Sequence, residues 1–473
     1  MQTTQNQEQC RTNGQQEHFR RADARDGNGK KRFVAVGAGG RIPMFIDPIA
    51  RDYKGSAEIL AFCDPSKIRM AYHIERLSRE YGVNGIRTYA PDDFERMLDE
   101  QKPDAVIICP MDALHSDYIL RSIAKGCDVI CEKPITTDAE KCRKLLEAIP
   151  ASGRHVRVTF NMRWVPGVSQ LRKLVADGTI GNVKHVNLEY LLNTSHGADY
   201  FRRWHSEKAS SGGLLVHKST HHFDLVNWVI DAVPATVYAM GDLVFYGKEN
   251  AVRRGDGALT GYARSAGSPN PEDPFHLDMA ADETMRRLYL DAEEETGYIR
   301  DRNVFRDGID IEDSMSVIVK YRSGVTLNYS LNAYCPYEGF RLHISGDKGR
   351  LEYEERHASH IIRGQSEAEL EAEQGDGEHW RRLVHFPLFG SPKTIPVEEL
   401  EGGHGGGDPL LQEQMFSANP PEDVFGAGAG HEQGIASAII GIAANQSMAS
   451  GLPVKVDDLV RLRPGEKLLS RLI

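Results

Sequence analysis

Three histidines, a lysine and an aspartate stand within one apolar run, GGLLVHKSTHHFDLVNWV, at residues 212–229. Imidazole is the side chain whose unperturbed charge change lies nearest neutral pH, so the run is a candidate for proton transfer. At helical spacing His217, His221 and Asp224 share one stripe, while Phe223, Val226 and Ile230 form a second, apolar one. His222 lies off the polar stripe and is expected to pack or to meet a substrate. The His217–His221 spacing also suits zinc, but the glutamate of a zinc-protease motif is missing and Lys218 would repel a cation. No cysteine or histidine cluster stands nearby to complete a shell, so no metal site is expected.

A second place with chemistry to offer is GAGGRI, with Gly37, Gly39, Gly40 and Arg41. Glycines after a short apolar strand permit a tight turn and a close backbone approach to a pyrophosphate, with a helix N-terminus facing it. The usual third Gly or Ala is Ile42 here, which weakens the motif on its own. Asp64 ends the next apolar run 22 positions beyond Ile42, where a carboxylate meets ribose hydroxyls. NAD is therefore the expected cofactor; Lys67 and Arg69 nearby keep NADP as the alternative. A third place is CEKP, with Glu132, Lys133 and Pro134. A lysine at the carboxyl end of a parallel strand points into the ligand crevice, and a neighbouring cationic ring would lower its pKa for proton exchange with a hydroxyl.

The elements that must position these residues are legible as alternation. RFVAVGAGG, AEILAFCD, DAVIICP and CDVICEKP are near-continuous apolar runs, separated by helical stretches such as PSKIRMAYHIERLSREYG. That pattern predicts an α/β chain whose N-terminal part, residues 31–150, is a doubly wound parallel Rossmann sheet. From about residue 151 to 473 the strands lengthen and alternate. SMSVIVKYRSGVTLNYSLNAY predicts a hairpin about Gly324, and RLHISGDKGRLEYEE another between Gly346 and Gly349. The expectation is an α+β domain with a large, mostly antiparallel sheet, bearing insertions near 246–310 and 356–412. Residues 1–30 are polar without an apolar core and are expected to be a disordered tail.

In this order the motifs resemble the Gfo/Idh/MocA family of nicotinamide-dependent oxidoreductases. The matching pieces are GAGG at 37–40, Asp64, PMDALH at 110–115, EKP at 132–134, NMRWVP at 161–166, and GGLLVHKSTHHFD at 212–224. The resemblance implies hydride transfer between NAD or NADP and a carbon of a sugar, cyclitol or glycoside. It puts Gly37, Gly39, Gly40, Arg41, Asp64, Glu132, His115 and Arg163 on or near the cofactor, with a structural salt bridge as the equal alternative for Arg163, and Lys133 and His221 in acid–base roles. Two departures stand out. Asp112 replaces the family's usual asparagine in the cofactor loop, and His217 replaces its usual aspartate four positions before the catalytic histidine. His217 is accordingly read as a third catalytic candidate, and Arg203, His222, Asp224 and His404 as substrate contacts. The family often pairs through its open sheet, which implies a homo-oligomer.

Two other readings stay open. The segment EGGHGGGD around His404 is similar to one in NAD-dependent glycosidases, which gives a redox-neutral glycosidase or lyase acting by transient oxidation at C3. A non-catalytic dinucleotide-binding regulator is the other, against which Lys133 and His221 both speak. The formal net charge of -11 argues against nucleic-acid and anionic-membrane partners. Seven cysteines without CxxC spacing predict buried reduced thiols and hence a cytoplasmic protein.

Overall fold

The computed structural model describes residues 29–267, 270, 273–358, 380–398, 400 and 405–472. The expected tail before residue 29, and His404, lie outside the described residues. The first sheet uses β1 (Lys31–Val36), β2 (Ala57–Cys63), β3 (Arg87–Tyr89), β4 (Ala105–Ile108), β5 (Asp128–Cys131) and β6 (Val156–Val158), ordered 6-5-4-1-2-3 and all parallel. β4 and β5 are buried at every position, because helices cover both faces. The strand order reverses between β1 and β4. Crevices beyond the carboxyl ends of strands at such a switch point are where ligands bind, and the glycine turn opens there.

Helix Lys67–Tyr81 begins at Ser66, whose hydroxyl accepts the Arg69 N–H, and ends at left-handed Gly82. These local signals fix the loop that follows β2. Helix Pro43–Arg51 follows the glycine turn and carries proline at its start, where a missing N–H costs nothing.

The second sheet contains β7 (Val183–Asn193), β8 (Pro234–Asp242), β9 (Ser314–Tyr321), β10 (Thr326–Cys335), β11 (Glu338–Gly346), β12 (Gly349–Ala358), β13 (Trp380–Pro387) and β14 (Lys393–Ile395). Its order is 14-13-12-11-7-10-9-8, antiparallel except for the β7–β10 pair. β15 (Ala429–Gly430) joins the first sheet antiparallel to β6, and β16 (Val454–Lys455) extends the second beside β8. The alternation in β9 and β10 puts Val317, Val319, Leu327, Tyr329 and Leu331 inward, as their sequence pattern predicts.

Two stretches read as insertions behave differently. The chain between β8 and β9 folds as short helical pieces, among them Lys248–Arg254, a π-turn at Arg286–Leu290, and Glu293–Thr296. Part of the later charged stretch instead supplies β13 and β14, the outer strands of the sheet. Helix His431–Ser450 is buried along most of its length and packs on β8 and on helix Ser219–Val229.

Candidate active site

The apolar run of the opening motif does not form one helix. Leu214–His217 is a short turn of helix, Ser219–Val229 a second, and Lys218 joins them. Every residue of Ser219–Val229 is buried, so burial alone does not separate polar from apolar stripes. The elements instead send the side chains to different neighbours.

Lys133 sits just past β5 and reaches the short helix: Nζ donates to the His217 carbonyl at 3.1 Å and lies 3.4 Å from His217 Nε2. On the other side of that ring, His217 Nδ1 is 2.5 Å from Asp112 Oδ2. The two departures from the expected motif are therefore one contact. The carboxylate missing at position 217 is supplied by position 112, with an imidazole placed between it and the lysine. Burial lowers the Lys133 pKa to about 8, against the opposing pull of Asp112 and Glu132. Burial likewise drives Asp112 upward and His217 downward, toward a pair that shares one proton.

The neighbours hold this line in place. Glu132 accepts from Arg41 Nε at 2.7 Å and from the Lys133 backbone N–H at 3.1 Å. Burial would raise the Glu132 pKa, but Arg41 and Lys133 hold it below the usual range. His115, expected beside the cofactor, is buried with Nδ1 at 2.7 Å from the Pro134 carbonyl and Nε2 at 3.3 Å from that of Pro110. It ties together the loops that carry Lys133 and Asp112. Arg203 is bound to Asp199 at 3.1 Å and its charge acts on Asp112 and His217. His205 was not foreseen. Its buried ring stacks on Trp204 with centroids 3.6 Å apart and meets His217 edge-on at 4.1 Å. The sequence signal for it is the aromatic–histidine pair Trp204–His205 that directly follows Arg203.

The second histidine, His221, lies against the Phe160 ring at 5.9 Å. His222 is held by Tyr329 at 2.7 Å and stacks on Tyr190 at 3.8 Å, which makes it part of the scaffold beneath the site. Arg163 and Asp224 need correction as cofactor and substrate contacts. They are each other's partner, joined by two hydrogen bonds of 2.7 and 2.6 Å, with side-chain exposures of 0% and 1%. Arg163 also donates to Gln433 and to the Gly426 carbonyl, so its donors are engaged inside the domain. Buried charges persist when paired in this way, and the pair belongs to the framework.

At the glycine turn, Gly37 has φ +86, and a Cβ there would lie 2.6 Å from the backbone of Cys109 and Pro110. Only glycine fits both demands. The carboxylate of Asp64 accepts the Ala38 N–H at 2.7 Å and the Ser66 N–H at 2.8 Å, which braces the turn against the loop after β2. Burial raises the Asp64 pKa, while the Ala38 N–H and Arg69 oppose the rise.

Family models for the oxidoreductase family match residues 31–160 as its NAD-binding Rossmann fold and residues 172–456 as its C-terminal alpha/beta domain. The chain belongs to the Gfo/Idh/MocA oxidoreductase family. Among its relatives, the putative oxidoreductase YteT of Bacillus subtilis (strain 168) is 35% identical, over 92% of this chain and 99% of its own. An inositol 2-dehydrogenase of Rhizobium meliloti (strain 1021) is 33% identical over 29% of this chain and 39% of its own. The crystal structure of an aldose-aldose oxidoreductase from Caulobacter crescentus shares the fold, with TM-score 0.57 and 16% identity over 90% of this chain and 99% of that one.

A family member with this domain binds NAD, and the residues here fit that cofactor. Around Gly39 the space where a Cβ would stand is open apart from the Tyr289 hydroxyl at 4.0 Å. Arg69, beside Asp64, is 9% exposed, and among the described residues its Nη2 has no hydrogen-bond partner. A buried donor left unsatisfied is costly, and a nucleotide oxygen is a suitable acceptor. No described helix is long and apolar enough to cross a membrane.

Proposed function

We propose that this oxidoreductase acts on a hydroxyl-bearing carbon of a sugar, cyclitol or glycoside, with Lys133 as proton acceptor and His217 and Asp112 as the relay behind it. NAD, when bound, supplies the hydride acceptor. The neutral Lys133 amine takes the hydroxyl proton as the C–H bond opposite opens. The resulting ammonium faces His217 Nε2, and the ring can pass a proton from Nδ1 to the Asp112 carboxylate. His221, four residues on in the next helix, serves the substrate side in this reading, with Arg203 as a hydroxyl contact and Gly37, Gly39, Gly40, Arg41 and Asp64 toward the dinucleotide. The observation that carries the reading is the line Lys133–His217–Asp112, at 3.4 and 2.5 Å. The name of the inositol 2-dehydrogenase relative supports a polyol-like substrate.

The test is to incubate the protein with NAD+ and a panel of sugars, cyclitols and aryl glycosides, following NADH absorbance and aglycone release together. NADH formation on at least one cyclic polyol is the expected result. Aglycone release without net NADH would assign redox-neutral cleavage instead, and no reaction across the panel would favour the regulator.

A further inference from the structure

The segment between β8 and β9 returns to the first domain and lies along helix Lys67–Tyr81. Arg287 pairs with Glu75 at 2.6 Å, Thr284 meets the Tyr72 hydroxyl at 3.1 Å, and Arg69 Nε donates to the Leu288 carbonyl at 2.7 Å. The Arg69 guanidinium faces the rings of Tyr289 and Tyr298 at 5.5 and 5.8 Å. From this segment two oxygens reach the dinucleotide loops. The Tyr289 hydroxyl accepts the Gly40 N–H at 3.0 Å. Glu295 Oε2 accepts from the Ser66 hydroxyl at 2.6 Å and from the Ile68 N–H at 3.2 Å.

Those last two donors open the helix that follows Asp64, beside the place where this fold takes the adenosine ribose. A serine hydroxyl, a first-turn helix N–H with no carbonyl of its own helix to meet, and Lys67 and Arg69 together make a donor set for a phosphate. A 2′-phosphate on the ribose is the anion that distinguishes NADP from NAD. Here a carboxylate of the chain already holds the hydroxyl and the N–H. Two negative groups, Asp64 and Glu295, thus flank Ser66.

We propose that Glu295 is a specificity-determining residue for the cofactor: it fills the position of a 2′-phosphate and sets the enzyme for NAD against NADP. The selectivity is built from both domains, since Asp64 comes from the strand end and Glu295 from the substrate domain. Hydrogen bonding from Ser66 keeps the Glu295 carboxyl below its usual range, so it stays charged at neutral pH.

The test is calorimetric titration of the full-length protein with NAD+ and, separately, NADP+, for wild type, Glu295→Gln and Glu295→Ala. Wild type is expected to bind NAD+ tighter by about 100-fold or more. Both variants are expected to tighten NADP+ by about tenfold and to hold NAD+ within about threefold, which also shows that they are folded. An unchanged NADP+/NAD+ ratio in both variants overturns the proposal, as does a wild type that takes the two equally. Binding of neither nucleotide by wild type would overturn it together with the cofactor assignment.

Discussion

At residue scale the chemistry rests on how a lysine is kept ready to accept a proton. Lys133 is half-buried, and the loss of solvent around it lowers its pKa to about 8; its outlets are the carbonyl and ring of His217. The base form is the neutral amine, so oxidation should rise with pH and level off above about 8. The reverse reduction needs the ammonium and should fall over the same window. A kcat/KM profile in each direction checks both signs. The Asp112–His217 contact gives a second prediction. Asp112→Asn leaves the ring without its carboxylate, and His217→Asp sets two carboxylates side by side. Each single change should lower kcat by about tenfold or more, whereas the double change restores one carboxylate beside Lys133 and should recover most of the loss. Additive losses in a double-mutant cycle would show that the two residues act apart.

At element scale the site hangs on a framework of buried polar pairs. Arg163 and Asp224 join the turn after β6 to helix Ser219–Val229, with Gln433 drawing in the late helix. Removing one partner strands the other without solvent. Arg163→Met should therefore cost about 3–5 kcal/mol in urea unfolding, with NAD+ affinity in the folded protein little changed. A large loss of NAD+ affinity at unchanged stability would return Arg163 to the cofactor. The sequence leaves Arg163 open between the cofactor and a structural salt bridge, and does not name Asp224 as its partner, for a physical reason. Both residues lie inside motif runs that do carry catalytic groups, and spacing along a chain does not say which side of a turn faces inward. The outer strands show a related limit. β13 and β14 come from a charged, glycine-rich stretch whose weak alternation hides them, because edge strands carry charge on purpose. A polar cluster on the neighbouring strands β11 and β12 couples sheet stability to pH. Burial opposes protonation of His357, but Glu338 and Glu355 raise its pKa from 6.5 to about 9. The stabilisation from the cation is present below pH 6.5 and lost as pH rises through about 9, so Tm should fall across that window and His357→Gln should flatten the fall.

At the scale of the whole molecule, Lys133 and Asp112 of the first domain meet His217 of the second, and what was legible in the sequence follows chain proximity. The Rossmann sheet, the glycine turn and the strand-end positions of Asp64 and Lys133 were readable, because each belongs to a contiguous run with its own periodicity or turn chemistry. The partnerships were not. His217 and Asp112 are 105 positions apart, and Glu295 and Ser66 are 229 apart. Only the folded chain puts them in contact, and each side chain read alone has an ordinary surface or core explanation. The same fold explains why the two departures from the family motif were seen singly and not as a compensating pair. The central claim is that Lys133 takes the substrate proton during hydride transfer. Its most direct test is a single-turnover measurement of NADH formation by wild type and Lys133→Met at saturating NAD+, with NAD+ affinity measured alongside. The account predicts a rate lower by about 100-fold or more with NAD+ binding retained; an unchanged rate would contradict it.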